Sequence, residues 1–226
     1  MSRRSLAFAA ACAFLSAVTT FLLWLLPRLY AAPDGFEQSI ELHANPFYLA
    51  RLWVNFIHIF LALVAYGAAA WLLRARSTAL AGFGFLWFCL WGFTELLGVT
   101  MNIFAVNATW RAQFATATPE VQEILRTNLL GFAALWDAMF FLLLVGFLLG
   151  CLCYGFAATR AKGIERLVGI LFLLAVPLTA AIMLGGYTSI AVLDPIVEGV
   201  YPVLQPISRA LLGYWLWSSR PVERTA

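Results

Sequence analysis

Four apolar stretches of this sequence carry ionisable or amide side chains at spacings that align them on one face of a helix. In one, Arg51, Asn55 and His58 share a stripe that Tyr66 continues two turns further on. In the next, Glu95, Gly98 and Asn102 line up, with Trp91 one turn before. A third holds a single acid, Asp137, beside Trp136. In the last, Asp194, Glu198, Gln205 and Arg209 repeat at intervals of four, seven and four. A charged group at the centre of a bilayer costs at least roughly 2.5–3.5 kcal/mol, so such groups turn inward and find partners. Carboxylates and an imidazole in that setting can relay protons, while an arginine and amides can hold a polar ligand.

The structural alternative is that these groups lock the bundle by pairing with one another. Glu95 or Asp137 would then salt-bridge Arg51 or Arg209. Asn55 and Asn102 would join helices through hydrogen bonds worth about 0.6 kcal/mol each. One histidine and two carboxylates (His58, Glu95, Asp137) are a donor set for iron, manganese or zinc. The Glu-x-x-His spacing of helical metal sites is missing, however, so no metal is assigned. A bis-histidine haem would need His43, which falls in a loop, and no span carries the lysine a retinal Schiff base requires. Cofactors therefore stay unassigned. Cys12, Cys89, Cys151 and Cys153 read as small core residues. Phosphate-loop, nucleophile-elbow and zinc-protease signatures are all missing, so no reaction is named and enzyme status stays open.

The elements that must position these residues follow from composition. Hydrophobic residues make up 63% of the 226 and charged residues 11%, against roughly 45–50% and about 25% in soluble domains. A soluble fold needs a polar exterior that such a chain cannot supply. The chain is predicted to be all-α, a polytopic transmembrane bundle forming one domain over 1–226. Runs of about 20 apolar residues mark spans near 6–26, 47–73, 80–106, 129–153 and 167–186. A sixth, 190–217, is interrupted by Pro195, Pro202 and Pro206, which predicts a half-helix to about Val203 and a second helix from about Ile207. Thr118-Pro119 predicts the start of a short interfacial helix.

With six spans, nine basic residues fall on one side: Arg3, Arg4, Arg74, Arg76, Arg160, Lys162, Arg166, Arg220 and Arg224. Four fall on the other: Arg28, Arg51, Arg111 and Arg126. The positive-inside rule then places both termini in the cytoplasm. The Arg-rich, Lys-poor usage suits a GC-rich bacterial genome, hence a bacterial inner membrane. Basic residues scattered at helix ends, with a net charge of +3, give no nucleic-acid-binding face. His58, Glu95 and Asp137 lie eight to eleven residues from the outer ends of their spans, roughly 12–17 Å deep. The expectation is an outward-opening polar pocket lined by spans two, three, four and six, with spans one and five as a lipid-facing shell.

The chain also resembles the bacterial multi-pass proteins of domain-of-unknown-function family 4386. The likeness rests on the polar outer loop leading to Phe47-Tyr48-Leu49-Ala50-Arg51, a Gly- and aromatic-rich fourth span, and the closing Leu211-Leu212-Gly213-Tyr214-Trp215-Leu216-Trp217. It implies a membrane fold and no activity. Function is therefore expected to be a small transport or ligand-binding bundle in contact with lipid, taking a small-molecule or lipid ligand. The alternatives are an intramembrane enzyme acting on a lipid or isoprenoid, and a structural subunit of a larger membrane complex.

Overall fold

The apolar runs are helices because nothing within them competes with intrachain hydrogen bonding, and their ends are set by capping residues. The computed structural model describes residues 1–188 and 194–219, helical throughout with no strand among the described residues. Helix α1 is Arg3–Leu25, started by the Ser2 hydroxyl accepting from the Ser5 N–H. Short helix α2 (Phe36–Glu41) follows. Helix α3 (Pro46–Leu73) opens on Asn45, whose Oδ1 accepts from the Phe47 and Tyr48 N–H groups ahead of a proline at the first position. Ser77 caps α4 (Thr78–Met101) in the same manner.

Beyond Met101 the chain widens into π-helical turns over Asn102–Arg111 before a single turn, α5 (Ala112–Phe114). Helix α6 is Pro119–Ala158, α7 is Gly163–Tyr187 and α8 is Asp194–Ser218. Gly163, at the tight α6–α7 junction, has φ of 63°, a left-handed conformation that only glycine adopts without steric cost.

The six long helices pack as a closed ring in chain order: α1 on α3, α3 on α4, α4 on α6, α6 on α7, α7 on α8, and α8 back on α1. Small residues permit the close approach. A Cβ on Gly146 of α6 would sit 2.9 Å from the Trp87 carbonyl and Trp91 N of α4, and one on Gly169 of α7 would sit 2.7 Å from the Thr159 N. Small-residue seams of this kind hold helices together where lipid removes the hydrophobic drive. We call the end bearing Arg3, Leu73 and Ala158 proximal, and the end bearing Leu25, Pro46 and Met101 distal.

The proximal half of the ring is filled. Tyr66 stacks on Phe88 with centroids 3.9 Å apart, and Tyr154 donates to the Tyr66 carbonyl at 2.8 Å. Phe147 and Phe172 complete this aromatic plug. At the distal end α2 lies on a small separate core of Ile40, Val106, Phe114, Leu125 and Leu129, pinned by an Arg126–Glu37 ion pair at 2.7 Å.

Two expectations are corrected. Pro202 and Pro206 lie inside one continuous helix, so the last segment is not split into half-helices. Their missing N–H groups are tolerated because α1 and α7 support α8 on both sides. Pro119 does start a helix, but that helix is no separate interfacial piece. It runs unbroken for 40 residues into the span, about 60 Å of rise. The all-α bundle is as expected, with five helices long and apolar enough to cross a membrane among the described residues. The 25-residue α8 is more polar than these, yet completes the ring beside them.

Candidate functional site

Above the aromatic plug the ring encloses a cavity of about 330 Å³ to which all six long helices contribute. Its polar lining is His58 from α3, Glu95 from α4, and Tyr201, Gln205 and Arg209 from α8, with Thr20 and Trp24 from α1. The rest is apolar, from Leu23, Trp91, four residues of α6, Ile182 of α7 and Pro202 of α8. That volume and a few convergent polar groups in an apolar wall are the ordinary make-up of a small-molecule site, which spans roughly 300–1,000 Å³.

His58 and Arg209 are each held by a hydroxyl of the neighbouring helix α1. His58, 3% exposed, has Nδ1 2.8 Å from the Thr19 hydroxyl. That hydroxyl also approaches the Leu15 and Ser16 carbonyls at 3.1 Å. The Thr19 hydroxyl and His58 Nδ1 share one hydrogen bond, which ties the imidazole of α3 to α1 at the cavity wall.

Arg209, 6% exposed, donates from one terminal nitrogen to the Ser16 hydroxyl at 3.1 Å, and its guanidinium carbon lies 5.6 Å from the Tyr66 ring centroid. Its Nε has no acceptor among the described residues. Among the described residues no carboxylate is within ion-pair distance of it; the ion pairs found are Arg76–Glu165 and Arg126–Glu37, both at the helix ends. Glu95 enters the same cavity from the opposite wall.

A second cavity, about 180 Å³, lies distal to the first and is lined by Tyr48, Arg51, Asn55, Gly98, Asn102 and Trp136 among others. Asn55 connects the two, because its amide faces the Glu95 carboxyl. The Trp136 ring fits there because residue 98 is glycine: an added Cβ would lie 1.8 Å from its Cζ3. Further out, the π-helical turns bring Asn107 back onto Asn102. Asn107 Nδ2 donates to the Asn102 carbonyl and Oδ1 at 2.6 and 2.7 Å, and Arg111 donates to Asn107 Oδ1 at 2.9 Å and to the Tyr48 hydroxyl at 3.2 Å. π-helical turns of this sort recur at functional sites.

The sequence-predicted site is thus brought together in part. His58, Glu95, Gln205 and Arg209 share the main cavity, and Arg51, Asn55 and Asn102 share the distal one. Arg51 is exposed and donates to the Tyr30 hydroxyl at 3.2 Å. Asp137 joins neither cavity. It is exposed, and its backbone carbonyl accepts from the Tyr187 hydroxyl at the distal end of α7. Its misplacement has a physical cause: the apolar run stops near Leu129, whereas the helix continues beyond it. Asp137 lies 21 residues from Ala158, about 32 Å of rise, which is the far edge of the hydrocarbon core and not its middle. Asp194 and Glu198 belong to helical backbone, but their side chains lie outside the described ones, as do residues Arg220 and Arg224.

The expected lipid-facing shell is also corrected, since α1 and α7 both reach the cavity. Ser16, Thr19, Thr20 and Trp24 were hidden because hydroxyls in a helix satisfy themselves on preceding carbonyls, as Thr20 does on Ser16 at 2.7 Å. The Ser16–Thr19–Thr20 triplet in an apolar run was the available signal.

Ring architecture, apolar spans and a polar interior define a multi-pass integral membrane protein in contact with the lipid bilayer. No protein-family profile, no curated protein and no solved structure matches the chain.

Proposed function

We propose that this protein is a small ligand-binding bundle of the transporter type, taking its ligand into the cavity between His58, Glu95, Gln205 and Arg209. The observation that carries this reading is the buried Arg209, which faces a cavity of about 330 Å³ without a carboxylate in ion-pair contact among the described residues. Groups meant only to lock helices would close on one another, because an uncompensated buried charge costs several kcal/mol. Here they stand apart around a space. Glu95, linked through Asn55 to the distal cavity, supplies a carboxylate that can exchange a proton with the distal side while ligand is bound.

The cellular setting belongs to the same proposal. The basic residues Arg3, Arg4, Arg74, Arg76, Arg160, Lys162 and Arg166 gather at the proximal end, so the proximal end is cytoplasmic and the cavity opens outward, in a bacterial inner membrane. Kinship with domain-of-unknown-function family 4386 is part of the proposal too, and adds no activity.

The test is what the protein carries. Protein purified in native-lipid nanodiscs, freed of bulk lipid and then denatured, should release a near-stoichiometric small molecule detectable by mass spectrometry. The Arg209→Met variant, equally folded by size exclusion and melting, should release at least tenfold less. Release of bulk lipid alone, identical for both, would refute the reading. An intramembrane enzyme is a second reading, favoured by His58 and Glu95 lining one cavity, an imidazole and a carboxyl that can serve as base and acid. Recovery of two chemically related molecules, the second lost in His58→Gln, would select it.

A further inference from the structure

The main cavity has a side. Trp24 and Pro202 line it and also line a separate groove of about 280 Å³ on the outside of the ring, between α1 and α8, completed by Phe21, Val203, Pro206 and Ile207. That groove is almost wholly apolar and faces the lipid: Phe21 is 46% exposed and Val203 59%. Ile207 lies two residues from Arg209 along α8, about 3 Å of rise, and Val203 six, about 9 Å, so the groove begins near the depth of the buried cation and runs distally from it.

Among the described residues two donors on this side of the cavity lack acceptors: Arg209 Nε and the Trp24 indole Nε1, both buried. Each can only donate, so whatever completes them must bring acceptor atoms. Arg209 bonds Ser16, and Trp24 is two turns beyond Ser16 on α1, about 12 Å of rise, which spaces the two donors along one wall. Gln205, one turn from Arg209 on the same helix, adds an amide. Glu95 projects from α4 across the cavity, leaving the α8 wall as the cationic side.

Resting on the ligand-binding reading above, we propose that the ligand is a single-chain amphiphile with an anionic head, reaching the cavity sideways from the bilayer between α1 and α8. The head sits on Arg209 and Gln205. A carbonyl near the head takes the Trp24 N–H, and the chain lies in the Phe21–Val203–Ile207 groove. Prolines at 202 and 206 suit this side. Both line the groove, where each presents an apolar ring and removes one backbone donor from the path of the chain.

A photoactivatable lysophosphatidic acid with a diazirine in its chain, added to the protein in nanodiscs, tests this directly. Saturable adducts are expected on Phe21, Trp24, Val203 or Ile207. Arg209→Gln should weaken saturation at least tenfold, and the matching monoacylglycerol probe, which lacks the charge, should be insensitive to that change. Val203→Trp, which fills the exposed groove without touching the cavity, should slow labelling severalfold. If Arg209→Gln fails to fold, Arg209→Lys replaces it and should weaken saturation by less. Adducts spread over every lipid face, indifferent to Arg209, would overturn the proposal. So would equal competition by chainless glycerol 3-phosphate with no effect of Val203→Trp; that outcome means aqueous access and leaves the ligand-binding reading standing. Loss of both saturable labelling and any co-purified molecule would remove both.

Discussion

At the residue scale the decisive feature is that buried polar groups are anchored without being neutralised. Arg209 is held by the Ser16 hydroxyl and the Tyr66 ring face, and His58 by Thr19. Because Arg209 has no ion-pair partner among the described residues, replacing it by an apolar side chain of similar length removes a desolvation cost and exposes no new charge. Arg209→Met is therefore expected to melt at the same temperature as the parent or a few degrees higher while losing its ligand. A fall of several degrees would mean that the guanidinium is structural. The opposite behaviour is expected of Tyr154→Phe. It deletes a fully buried 2.8 Å hydrogen bond to the Tyr66 carbonyl, which keeps its helical donor within α3, and should cost about 0.5–1.5 kcal/mol in reversible unfolding in detergent micelles. The cavity above should keep its ligand.

At the element scale, close helix approach is set by particular glycines. Gly146→Ala would place a Cβ 2.9 Å from backbone atoms of α4, which cannot rotate away, so helices α4 and α6 must separate. The expected loss is about 1–3 kcal/mol, read as a lowered melting temperature. Gly98→Ala meets instead the Trp136 side chain. Trp136→Ala should restore most of the stability lost in Gly98→Ala, and the parallel double change with Gly146 should not. Helices of this kind were legible in the sequence because α1, α3, α4, α6 and α7 are long apolar runs, with Ser2, Asn45 and Ser77 as caps before the first three. The stripes on α3, α4 and α8 were legible because three- and four-residue spacing survives whatever the helix packs against. Asp137 was not, because hydropathy marks where apolar residues stop and α6 continues well past that point. Nor were the contributions of α1 legible: its hydroxyls are satisfied locally, and only packing shows that Ser16 and Thr19 serve Arg209 and His58. The prolines of α8 were read as breaks since the sequence does not say that two neighbouring helices brace it.

At the scale of the whole molecule, chain-order packing makes the last helix the closing stave of a ring, and sequence periodicity says nothing of which helices become neighbours. Closure has two consequences. It gathers residues from positions 20 to 209 around one cavity, and it leaves the α1–α8 joint, the only one formed by helices remote in sequence, with an apolar groove beside it. Topology is open to a simple check. In a background with its native cysteines replaced by alanine, Thr116→Cys should react with a membrane-impermeant maleimide in intact cells. Ser2→Cys should react only after permeabilisation. Reversed labelling would invert the bundle and turn the cavity toward the cytoplasm. The central claim, that the space between Arg209 and Glu95 is built to be filled, is tested most directly by an experimental structure in native-lipid nanodiscs. The expected result is continuous non-protein density against the Arg209 guanidinium, extending toward Trp24 and Pro202. A collapsed ring in which Arg209 and Glu95 form a direct ion pair, with no space between them, would contradict it.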